Sequence, residues 1–173
     1  MAKTVIHFVL LAIALLLVQL IGSKIALWNV AMPIVFIYLL LRLPINLHTS
    51  WVITIAFFMG LAVDTFSNTA GMNALSCTLL AVMRRPVFYL YVVREDDDQT
   101  NPLPGSDTMG VGAYFKYMAT LTLAYCTMLF LIQAFTLRDL PLTLLRIGAS
   151  SALSMLLLMA TDSLLSRKSE ERL

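Results

Sequence analysis

The sequence predicts an all-α integral membrane protein, a bundle of six spanning helices with both termini in the cytoplasm. Three observations predict it. Of its 173 residues 60% are hydrophobic and only 13% charged, and the mean hydropathy of +0.85 exceeds what a soluble domain carries. The apolar residues form continuous blocks, whereas a transmembrane barrel would alternate over segments of roughly 10 residues, and in lipid only helices and closed barrels satisfy their backbone. Basic residues also gather at alternate block boundaries, the pattern that orients spans.

Each span needs roughly 20 apolar residues to cross a hydrocarbon core of about 30 Å. Residues 4–22 supply the first. Lys3 precedes it as in a secretory leader, but the run outlasts a leader's core and no small-x-small cleavage site follows. The second span is 28–43, with Pro33 near enough to its start to be tolerated and Pro44 closing it. The third is 51–66 and the fourth 71–83, both short. Arg84 and Arg85 mark the cytoplasmic boundary of the fourth. The next stretch, PVFYLYVV, suits a headgroup-level segment by its aromatics, and a tilted continuation of the fourth helix to residue 93 is the alternative. The fifth span is 113–135 and the sixth 140–165, with no room left for a soluble domain.

With an internal N-terminus, the inside segments hold Lys3, Arg42, Arg84, Arg85, Arg94, Arg167, Lys168 and Arg172, with Lys116 at an inside helix boundary. The outside loops hold only Lys24 and Arg138. Positive charge is therefore inside. The acidic run REDDDQTNPLPGSD, residues 94–107, then falls in a cytoplasmic loop spanning about 94–112. It is either a solvated linker or a docking strip for a basic partner.

No catalytic chemistry is legible. There is no nucleophile elbow, phosphate-binding loop, HExxH motif or carboxylate pair at workable spacing. Cys77 and Cys126 lie inside apolar blocks, as small buried hydrophobes do. His7 and His48 have no companion at ligand spacing and are read as structural or interfacial. The expectation is no enzyme, no cofactor and no metal.

One stretch stands apart: GLAVDTFSNTAGMNAL, residues 60–75. It places Asp64 near the outer end of the third span, and a carboxylate at mid-membrane costs about 2.5–3.5 kcal/mol. Two roles are open. Asp64 caps the turn or the start of the fourth helix, whose free N–H groups favour an anion, or it belongs to an outer-face site for a partner or ligand. Arg146, at comparable depth in the sixth span, is the basic residue well inside a helix, and an Asp64–Arg146 ion pair would relieve the desolvation of both. Asp162, beside Arg167 and Lys168, is read as interfacial.

This stretch resembles the motif of the MreD family of rod-shape-determining membrane proteins. There a glycine, an aspartate four residues later, a serine three further on, then a glycine and an Ala-Leu pair mark a turn between two helices. Gly60, Asp64, Ser67, Gly71, Ala74 and Leu75 match it, with Asn73 inside the motif; Asn68 stands where the family commonly has a second glycine, a residue that also tolerates left-handed backbone. The long acidic loop departs from many members. Gly60, Gly71 and Ala74 permit close helix approach. The resemblance implies a non-catalytic subunit of the bacterial cell-elongation machinery (the elongasome) in the inner membrane. It implies binding to an MreC-type single-span scaffold, and through it to MreB filaments, a RodA-type glycosyltransferase and a penicillin-binding transpeptidase that build peptidoglycan. It also implies a fold similar to the membrane substrate-binding subunits of energy-coupling-factor transporters. The alternative is therefore a small-molecule-binding transporter subunit, for which Asp64, Asn73, Arg146 and Gln133 are the available polar groups.

Overall fold

The computed structural model describes residues 10–19, 33–92, 103–133 and 140–170, and every element among them is helical. They are α1 (Leu10–Gln19), α2 (Ile37–Arg42), α3 (Thr49–Ser67), α4 (Met72–Tyr91), α5 (Ser106–Met109), α6 (Val111–Gln133) and α7 (Leu140–Glu170). Three stretches, Thr49–Ser67, Val111–Gln133 and Pro141–Leu164, are long and apolar enough to cross a membrane. At about 1.5 Å per residue α4 is equally long, roughly 30 Å, but its arginines make it less apolar.

Helices α3 and α4 form an antiparallel hairpin, α6 packs on α4, and α7 packs on α6. The α3 residues turned inward are Val52, Ala56, Met59, Gly60, Val63 and Asp64, a stripe at helical spacing. Its other faces expose Trp51, Phe57, Phe58, Leu61 and Phe66. A helix apolar on every side suits a nonpolar surrounding. The hairpin closes tightly because Gly60 has no side chain: a Cβ there would lie 2.5 Å from the Ala74 Cα and 2.7 Å from the Asn73 carbonyl oxygen. That contact fixes the register of the two helices.

At the centre lies 34–41, a run in which every residue is buried. Its first part is not a helix. A continuous second span over 28–43 is therefore corrected for its described part: residues 33–36 are irregular, and α2 has only six residues. The reason is visible in the hydrogen bonds. Gln19 donates from Nε2 to the Pro33 carbonyl at 2.9 Å and accepts the Val35 N–H on Oε1 at 2.9 Å, while the Ile34 N–H donates to Ser154 Oγ at 3.0 Å. Side chains from α1 and α7 thus pair the backbone groups of this stretch, as buried irregular backbone requires.

The fourth span is longer than 71–83. It continues without a break through Pro86 to Tyr91, so the aromatic stretch after Arg85 is helix, anchored where the Tyr91 and Thr120 hydroxyls bond at 2.9 Å. Within the expected acidic loop, Ser106–Met109 forms the short α5. Residues 4–9 and 20–22 of the first predicted span, 28–32 of the second, 93 of the fourth's alternative extension, 94–102 of the acidic run and 134–135 of the fifth lie outside the described residues.

Candidate functional site

The α3–α4 turn brings most of the motif together. Asp64 lies one turn before the end of α3, 2% exposed, and its carboxylate accepts four hydrogen bonds. Oδ1 takes the Thr69 hydroxyl, the Asn73 backbone N–H at 3.1 Å and the Asn73 side-chain amide at 2.9 Å. Oδ2 takes the Ala74 N–H at 2.8 Å. Asn73 and Ala74 are the second and third residues of α4, so the carboxylate covers two of the N–H groups that a helix start leaves unpaired. The helix dipole favours the negative charge there. The Asp64 main chain serves the same turn, its carbonyl accepting the N–H of Asn68 and of Thr69.

The backbone of the turn depends on two left-handed residues. Asn68 ends α3 at φ 55°, within reach of asparagine. Gly71 starts α4 at φ 75° with open space around it, so conformation and not crowding selects glycine there. Asn73 completes the network by accepting the Tyr125 hydroxyl of α6 at 2.8 Å. The motif residues thus divide: Gly60, Asp64, Asn73 and Ala74 face inward, Ser67 is half-buried, and Leu75 is 50% exposed. Thr69 and Tyr125 belong to the network although nothing in their spacing marks them.

The expected Asp64–Arg146 pair does not form. Four neutral donors from the turn and from α4 fill the carboxylate, while Arg146 sits on α7, which packs chiefly on α6, and its buried Nε has no hydrogen-bond partner. Among the described residues the ion pair is elsewhere. Arg42 Nη1 meets Asp162 Oδ1 at 2.6 Å, and the same oxygen accepts the Tyr38 hydroxyl at 2.8 Å and the Tyr114 hydroxyl at 3.0 Å. Asp162 is therefore a junction of α2, α6 and α7 and not merely an interfacial residue. Arg84, expected at a boundary, is buried at 3% exposure, while Arg85 beside it is exposed. His48 precedes α3 and its Nδ1 accepts the Ser50 N–H at 3.4 Å.

Beside the Asp64 network is a cleft of about 190 Å³, walled by Ile34 and Val63 and edged by Gln19, Ser67, Asn73 and Gln133. Its polar groups are uncharged. Gln19, Thr69 and Asn73 are committed to the protein's own bonds, which leaves Ser67 and Gln133 as the groups with free capacity. No group of three or more potential metal ligands occurs among the described residues. No family model matches the chain, and no curated protein or solved structure is significantly similar to it.

Proposed function

We propose that the protein is a non-catalytic, multi-pass subunit of the bacterial cell-elongation complex, an MreD-type protein of the inner membrane that binds an MreC-type scaffold and helps to organise peptidoglycan synthesis. The observation that supports this best is the division of labour within the motif. Gly60, Asp64, Gly71, Asn73 and Ala74 all serve to hold one turn rigid, and that turn presents Leu75 and Phe66, 50% and 67% exposed. A rigid turn with apolar residues on its outside provides a docking surface whose geometry is set before binding. In this reading the turn faces the periplasm and the Arg42–Asp162 junction faces the cytoplasm.

Co-purification tests the proposal. The tagged chain should bring down a single-span periplasmic scaffold from detergent extracts, and its depletion should turn rod-shaped cells round; absence of both results would count decisively against it.

A transporter subunit that binds a small molecule is the second reading, favoured by the cleft beside Asp64 and by the irregular backbone at 33–36, because non-helical backbone lines binding sites in many transporters. Retention of a small ligand through purification, without the scaffold, would select it.

A further inference from the structure

Arg84 is a buried cation without an anion. Two of its guanidinium nitrogens, Nε and Nη2, have no hydrogen-bond partner. The guanidinium is hydrogen-bonded to the Tyr117 hydroxyl, but that group is neutral and itself donates to the Leu41 carbonyl at 3.2 Å. Among the described residues no carboxylate pairs with it; the ion pair there is Arg42–Asp162. A buried charge left in this condition is strongly unfavourable.

The surroundings are those of an anion site. The register set by Gly60 against Ala74 places Arg84 and Arg85 level with the first turn of α3, and a small cleft opens there between Leu47, Thr49, Val52, Ala81 and the two arginines. The start of α3 carries the positive end of its dipole. One N–H of that first turn, on Ser50, has only a long 3.4 Å bond to His48. The cleft holds about 10 Å³, which is room for one oxygen-sized atom. An anion can therefore insert one oxygen toward Arg84 and leave the rest of its charge outside, against the exposed Arg85.

Trp51, on the same first turn, is 66% exposed, and an exposed tryptophan at the end of a spanning helix marks the headgroup level. We infer that this cleft seats one phosphate oxygen of an anionic membrane lipid, with the headgroup against Arg85 and the acyl chains along the apolar outside of α3. Basic pockets between spanning helices recognise headgroups in this way. The inference rests on α3 crossing a membrane and is independent of any role in cell elongation.

The test uses the full chain purified in nonionic detergent, with bound lipid counted by native mass spectrometry. Phosphatidylglycerol should bind about tenfold more tightly than phosphatidylcholine, which carries the same phosphate but brings a trimethylammonium cation against Arg85. Arg84→Gln should weaken binding of both lipids, since both carry the phosphate, and Arg85→Gln should reduce the preference severalfold while leaving the fold intact, because Arg85 is exposed. If Arg84→Gln does not fold, Arg85→Gln alone decides. Equal binding of the two lipids, or a preference unchanged in Arg85→Gln, would overturn the inference, leaving the cleft to water. Displacement of the lipid by inorganic phosphate at millimolar concentration would overturn it in favour of a soluble anion. A large rise in lipid binding when Glu95, Asp96, Asp97 and Asp98 are neutralised together would show that the chain's own carboxylates fill the cleft. Extraction of the chain from cells without detergent would instead refute the membrane reading.

Discussion

Asp64 shows how a buried carboxylate can be satisfied without a cation. Four donors within ten residues of it, each a charge-assisted bond worth about 1.5–3 kcal/mol, offset its desolvation. Replacing it with Asn keeps one acceptor but turns an amide N–H₂ toward donor groups. Asp64→Asn should therefore cost about 1–3 kcal/mol, and Asp64→Leu, which orphans every donor, clearly more; reversible unfolding in mixed micelles measures both. Gly60→Ala should cost about 1–3 kcal/mol by overpacking, because backbone and not a flexible side chain blocks the new methyl. At this scale the sequence was partly legible. A carboxylate among glycines in an apolar run announces a special turn, and helix capping was one of the two roles it allowed. Thr69 and Tyr125 were not legible, because threonine and tyrosine are ordinary residues whose role arises only when the turn closes. The Arg146 pairing failed for a related reason: donors a few residues away reach a carboxylate before a cation on a distant helix does.

The elements most exposed to misreading are those held by long-range bonds. VAMPIVFIYLLL reads as one apolar span, yet residues 33–36 are irregular, and Gln19 and Ser154 satisfy them from positions 16 and 120 residues away. Periodicity cannot register such partners. Ser154→Ala should destabilise the protein by about 1–3 kcal/mol through the orphaned Ile34 N–H, whereas the same change at the exposed-side Ser151, which bonds only within α7, should leave the unfolding midpoint nearly unchanged. Helix α4 illustrates the opposite error. The two arginines and the aromatics after them suggested a headgroup-level segment beyond Met83, with a continued helix as the alternative; prolines are tolerated in helices packed among neighbours, and contact with α6 carries the helix on to Tyr91.

Among the described residues, α2 packs on α4 and α6, the stretch before it is bonded to α1 and α7, and two polar networks tie the helices at separated positions: the Asp64–Asn73–Tyr125 set and the Arg42–Asp162 junction. Hydropathy made the helical bundle legible, since long apolar blocks have few other solutions. It carried no information about which helix surrounds which. Asp162→Asn should loosen α2 from α7 and lower the unfolding midpoint. A swap that places Asp at 42 and Arg at 162 should recover part of that loss, although Tyr38 and Tyr114 lose their acceptor; no recovery at all would show that the tyrosines, and not the ion pair, hold the junction. The most direct test of the proposed role is photo-crosslinking in living rod-shaped cells from position 75, at the α3–α4 turn, with position 90, near the far end of α4, as control. A rigid docking turn predicts adducts between position 75 and the single-span periplasmic scaffold, and none from position 90. Absence of the scaffold among the adducts of position 75, or equal yield from both positions, would contradict it.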